Sequence, residues 1–235
     1  MMQPPAGPDK PSLVGVRLSV RFKNVVSPID VRGVLYALSS IGYRVSSSPP
    51  PRPLLVLETL SGAGPVADRD GAVVDLNTER QFLGLQDSST ESASKAFSQM
   101  LSVLEKSGAI APQAEVWFYE LHARFRLGRS GDVISGVNRF LGSGTALRSW
   151  NDALGFPLCI SQIRLSTQGE SSDSPTYFEF TITPSLNRPD EPVDIIVVQR
   201  MESSEKFHKA VLALPSTVEK LTREIGERKG TKRGR

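Results

Sequence analysis

The sequence predicts an α+β protein in which one strand–helix–strands–helix unit is used twice. Three observations carry that prediction. First, Val20-Arg21-Phe22-Lys23, Asp30-Val31 and Gly33-Val34 are echoed about a hundred residues later by Ala123-Arg124-Phe125-Arg126, Asp132-Val133 and Gly136-Val137. That spacing is too long for a solenoid repeat and suits a doubled small unit. Second, the segments that open the two halves alternate apolar and polar residues with a period of two, the signature of a half-buried strand. Third, each half closes on a capped segment with apolar residues at helical spacing.

Residues 1–12 are proline-rich and predict a disordered tail. From residue 13, Val14, Val16, Leu18, Val20 and Phe22 alternate with Gly15, Arg17, Ser19 and Arg21 up to Lys23, giving the first strand. Ser27-Pro28 opens a helix carrying Val31, Val34, Leu35 and Leu38, with Gly42 after its last turn. Tyr43-Arg44-Val45 is extended, and residues 54–60 read as a further strand. Residues 61–71 read as a loop ending in the hairpin signal Asp70-Gly71. Short strands follow over 72–76 and 81–86. Ser88 and Glu91 then fit a capping box for a helix striped by Ala93, Ala96, Phe97, Met100, Leu101 and Leu104, ending at Ser107-Gly108.

The second half repeats this order. Residues 116–127 predict a strand with Trp117, Tyr119, Leu121, Ala123, Phe125 and Leu127 on its buried face and Glu120, His122, Arg124 and Arg126 opposite. Helices are expected over 132–141 and 146–154, then strands over 158–166, 176–183 and 193–200. A long helical region starts at Ser204; Pro215 is expected to interrupt it, with Ser216 and Glu219 forming a second capping box that restarts it. The predicted organisation is a first repeat over 13–110, a second over 114–227 and a basic tail over 228–235.

Composition narrows the function classes. The 235 residues are 39% hydrophobic and 23% charged, ordinary values for a folded globular chain. The longest apolar runs are strand-length, far short of a bilayer span, and the N-terminus has prolines where a signal peptide needs an apolar core. Those features predict a cytoplasmic protein that does not span a membrane. The formal net charge of +3 is concentrated at the C-terminal end: from Thr222 onward six basic residues face two acidic ones, which leaves the remainder near neutral. The overall basicity therefore belongs to a tail more than to a surface.

Catalytic and metal-binding signals are sparse. Cys159 is the one cysteine, and His122 and His208 are the two histidines, with no HExxH, CxxC or P-loop pattern. Asp68, Asp70 and Asp75 lack the closing glutamate of a calcium loop. Gly128-x-x-Gly131 has turn spacing rather than that of a phosphate cradle. Neither a catalytic residue nor a cofactor nor a metal is expected.

A doubled unit of strand, helix, several antiparallel strands and a long helix resembles the core of the TATA-box-binding protein family, over most of the chain. The resemblance implies one curved antiparallel sheet with helices on one face and the other face open. The paired phenylalanine wedges of that family are not matched, because Phe22 and Phe125 belong to the buried faces. What carries over is an open face bearing Arg17, Arg21, Lys23, His122, Arg124 and Arg126. Those cations suit a phosphate backbone or an acidic protein, or they pair with acids on neighbouring strands. The expected function is a non-enzymatic binding module for nucleic acid or an acidic protein partner. The alternative is a carrier or sensor of a small apolar ligand held near Trp117, Phe178 and Met201.

Overall fold

The computed structural model describes residues 10–23, 29–45, 64–77, 80–129, 162–169, 171, 173–185, 188 and 190–227, with a few isolated positions between 133 and 154. It is an α+β protein with a nine-stranded, open, curved antiparallel sheet. In chain order the elements are β1 (Ser12–Phe22), α1 (Val31–Ser40), β2 (Arg44–Val45), β3 (Gly64–Arg69), β4 (Ala72–Asn77), β5 (Phe82–Asp87) and α2 (Thr90–Lys106). There follow β6 (Val116–Arg129), β7 (Ile163–Ser166), β8 (Tyr177–Thr183), β9 (Pro192–Met201) and α3 (Ser204–Glu227).

Across the sheet the strands run β2-β3-β4-β5-β1-β6-β9-β8-β7. In each half the first strand is innermost, the last lies beside it, and the others step outward in reverse order. At the seam β1 pairs antiparallel with β6, and Leu18 faces Leu121, 103 positions later. The same offset relates Arg21 to Arg124 and Phe22 to Phe125, so the strand register and the sequence echo coincide.

The helices pack on the face formed by alternate strand residues. Val16, Leu18 and Val20 of β1, Leu83 and Leu85 of β5, Leu121, Ala123 and Phe125 of β6, Phe180 of β8 and Ile195 of β9 are all buried there. Phe97 and Met100 of α2 and Phe207, Val211 and Leu214 of α3 close the same cluster, which is continuous across both halves. Phe97 and Phe207 meet with ring centroids 5.9 Å apart, joining the two long helices over the seam.

Several local features depart from the sequence expectation. The segment read as a loop contains β3, which pairs with β4 through a tight turn at Asp70-Gly71. Both turn residues have positive φ, 50° and 88°, the conformation that a two-residue hairpin requires and that Gly71 supplies without strain. The cap of α2 is Ser89 rather than Ser88: its hydroxyl accepts from the Ser92 amide, while Glu91 accepts from the Ser89 hydroxyl. The helix α3 runs unbroken through Pro215. Phe207, Val211, Leu214, Val218 and Thr222 are buried on both sides of it at helical spacing, so packing outweighs the missing amide. The predicted strand over 54–60 and most of the predicted helix over 132–141 lie outside the described residues.

Candidate functional site

The face opposite the helices is assembled from the other strand parity. Register places Arg17, Ser19 and Arg21 of β1 beside Gln86, Gly84 and Phe82 of β5 on one side and His122, Glu120 and Phe118 of β6 on the other. Arg200 of β9 then sits opposite Glu120, and Tyr177 of β8 opposite Arg200.

The middle of this face is a buried polar cluster. Arg17 is 8% exposed and Asp75 of β4 is 5% exposed. The two strands are separated by β5, and Gly84 is what lets the guanidinium cross it. A Cβ there would stand 2.8 Å from the Phe82 ring and 3.3 Å from Arg17 Nε. Arg17 therefore lies over the Phe82 ring, 4.6 Å from its centroid, and reaches the Asp75 carboxylate at 3.2 Å. Gln86 Nε2 donates to the same carboxylate oxygen at 2.6 Å. Burial pushes the Asp75 carboxyl above the usual carboxylate range, with the attraction of Arg17 opposing it. Arg17 Nε and His122 Nε2 are enclosed without a hydrogen-bond partner, and burial holds the His122 imidazole below its ordinary pKa.

The sequence-predicted cations are divided by the fold. Arg17 is buried rather than open to a partner. Lys23 lies beyond the end of β1 and pairs with Glu115 at 2.9 Å. Arg124 makes a bidentate pair with Asp194, at 3.1 and 2.6 Å, and Arg126 lies 3.8 Å from the same carboxylate. Nearby acids thus account for Arg17, Lys23, Arg124 and Arg126, with Arg124 and Arg126 paired directly across adjacent strands. Arg21 differs. Among the described residues no hydrogen bond or ion pair holds it; it rests 4.9 Å from the Trp117 ring centroid and 5.9 Å from that of Phe118.

Trp117 reaches that position through a register shift. Arg21 pairs with Phe118 and Phe22 with Val116, so Trp117 is the extra residue of a bulge and leaves the buried face on which alternation places it. Phe178 and Met201 remain packed against the helix-side core, so the three aromatic or apolar residues expected around a ligand do not converge.

At this end of the seam lies a pocket of about 60 Å³. Arg21, Arg80 and Arg200 line it with Asn77 and Glu120, and Phe82 and Phe118 form its apolar walls. Glu120 is engaged by Arg200 Nε at 2.6 Å, and the Arg200 guanidinium also stacks 4.7 Å from the Phe118 centroid. The sequence gives little warning of Asn77, Arg80 or Arg200. The available signal is Phe82 and Phe118, two aromatics at positions whose parity otherwise reads polar.

A second polar cluster lies between the long helices: Ser94 and Ser98 hydroxyls stand 3.1 and 3.2 Å from His208 Nδ1 and Nε2. Burial holds that imidazole below its ordinary pKa, and through its two ring nitrogens the cluster ties α2 to α3. Among the described residues no group of three or more His, Cys, Asp or Glu is placed to hold a metal ion, and no helix is long and apolar enough to cross a membrane. Cys159 lies outside the described residues. Compared with known proteins, the chain matches no family model and no curated protein.

Proposed function

We propose that the protein is a non-enzymatic binding module that uses the sheet face opposite its helices to engage an acidic segment of a protein partner. The observation that carries this reading is Arg21, a cation of that face without an acid partner among the described residues, stacked on Trp117 and bordering an arginine-lined pocket. Arginine and tryptophan together are the residue types that concentrate energy at protein interfaces. The neighbouring cations are neutralised by Asp75, Asp194 and Glu115. A face balanced in this way favours local recognition of a carboxylate-rich segment over the many unpaired cations that a phosphate backbone demands. The mirrored strand order supports a duplicated unit of the TATA-box-binding type as the scaffold, with the open face serving a different partner.

The test is fluorescence anisotropy of a labelled glutamate-rich peptide and of single-stranded DNA of equal charge, titrated through a salt series. Wild type, Arg21→Glu and a chain lacking residues 228–235 are compared. The proposal expects the peptide to bind more tightly than the DNA, to survive tail removal and to be lost in Arg21→Glu. Peptide binding that disappears with the tail, or that ignores Arg21→Glu, overturns it; preferred DNA binding through Arg21 transfers the face to nucleic acid.

A further inference from the structure

Asn77 ends β4 and is 3% exposed. Its Oδ1 accepts the Arg80 backbone amide at 2.9 Å, which fixes the side-chain amide in one orientation. The Nδ2 group then has no hydrogen-bond partner, although it is enclosed. Native structures rarely leave a buried donor unmet unless something else supplies the acceptor. Asn77 is one of the residues lining the pocket that Arg21, Arg80 and Arg200 share.

We propose that this pocket is a receptor for a phosphate group carried as a monoester. Three guanidiniums and one carboxylate, that of Glu120, line the pocket, a set of side chains that suits an anion such as a phosphate of about −1.5 to −2 charge at neutral pH. The guanidiniums arrive from three directions, β1, β9 and the β4–β5 turn, and Asn77 supplies a fourth donor. That arrangement matches a tetrahedral anion with several free oxygens better than a planar carboxylate, which one arginine fork satisfies. The volume is less than half of the roughly 150 Å³ that accommodates benzene. That size suits a phosphate group better than a nucleobase. Phe82 and Phe118 keep the walls apolar, which strengthens charge-assisted hydrogen bonds within. Glu120 holds Arg200 by its Nε, so this carboxylate orients one of the donors.

The phosphate can come from a phosphorylated side chain in the partner segment or from a free phosphate ester. The first source rests on the function proposed above; the pocket itself does not. The experiment uses the full chain in a Trp150→Phe background, which leaves Trp117 as its one tryptophan. Emission and calorimetric heat are followed on titration with inorganic phosphate, acetate, and a glutamate-rich peptide with phosphoserine or serine at its centre. Saturable phosphate binding is expected, with acetate weaker. Asn77→Asp keeps the acceptor for the Arg80 amide but replaces the donor by a carboxylate oxygen, and Arg21→Gln removes one guanidinium. Each is expected to weaken phosphate at least about tenfold.

Asn77→Asp is also expected to melt no lower than its parent, because its carboxylate meets the guanidiniums; a purely structural amide would give the opposite result. Should Asn77→Asp not fold, Arg21→Gln decides alone. Phosphate binding that is unsaturable, or unchanged in Arg21→Gln, overturns the pocket. Peptide binding through Arg21 with no preference for phosphoserine also overturns it while leaving the acidic-segment reading intact. Saturable inorganic phosphate with neither peptide bound supports the pocket, assigns it to free esters and removes the acidic-segment reading.

Discussion

Replacing Arg17 by methionine removes one half of a buried ion pair and leaves the aliphatic volume of the side chain in place. The side chains of Arg17 and Asp75 are 9% and 8% exposed, so neither charge is well solvated, and the pair is closed at 3.2 Å. Without the guanidinium, Asp75 keeps one hydrogen bond, from Gln86. Breaking one side of such a pair costs about 3–5 kcal/mol. With a urea dependence of about 3 kcal/mol/M, the unfolding midpoint falls by roughly 1 to 1.7 M. The double variant Arg17→Met/Asp75→Leu removes the stranded charge and recovers most of that loss. It remains about 1–3 kcal/mol short because Gln86 loses its acceptor.

The pH dependence has a definite sign. Burial already raises the Asp75 carboxyl, and removing Arg17 removes the charge that opposes the shift, so it rises further. The unfolded carboxyl titrates near its ordinary value of about 3.9. The deficit of Arg17→Met is therefore smallest below that value and grows as pH rises through the folded-state value. Equilibrium urea unfolding of parent, single and double variants across that range is the assay. A single variant that loses less than about 1 kcal/mol, against the cost expected for a broken buried pair, refutes the enclosed ion pair, as does a double variant no better than the single.

The remaining predictions concern other parts of the fold. Gly84→Val meets the Phe82 ring and Arg17 Nε and is expected to cost about 1–3 kcal/mol, read as a fall in melting temperature; Gly84→Val at parental stability would contradict the close approach across β5. Phe207→Ala removes a fully buried ring shared by Phe97 and Tyr119 and is expected to cost about 3–5 kcal/mol in urea unfolding. Pro215→Ala restores an amide within α3, and after allowing for the freer unfolded chain it is expected to stabilise by about 2 kcal/mol, seen as a higher melting temperature. Burial holds His122 and His208 below their ordinary pKa, so the unfolded state takes up protons first as pH falls below about 6.5. Stability is expected to be full above that pH and to decline below it, and His122→Asn with His208→Gln is expected to flatten the decline.

Much of the fold was legible in the sequence because period-two and helical patterns report burial directly. The alternation from Leu13 to Phe22 gave β1, and the stripe from Ala93 to Leu104 gave α2. The echo of Arg21-Phe22 in Arg124-Phe125 spans 103 positions, the same separation as the facing pair Leu18 and Leu121. Where the sequence misled, a tertiary term prevailed over a local one. Pro215 reads as a break, but five buried side chains bracket it along one helix face. Trp117 reads as core, but a bulge moves it beside Arg21. The site was harder to read than the fold. Alternation placed the cations on one face, yet which of them meet acids depends on residues far away in sequence, such as Asp75 for Arg17 and Asp194 for Arg124. Asn77 carries no local mark at all; its meaning lies in an unmet donor, which exists once the β4–β5 turn has fixed its amide.

The central claim is that the end of the β1–β6 seam, on the face away from the helices, is where a partner is held. The most direct measurement is photo-crosslinking of the full chain by a glutamate-rich peptide bearing a diazirine, with the attachment sites located by mass spectrometry. Attachment is expected around Trp117, Phe118 and Arg80 and is abolished by Arg21→Glu. Attachment on α1, α2 or α3, or within residues 228–235, would contradict it.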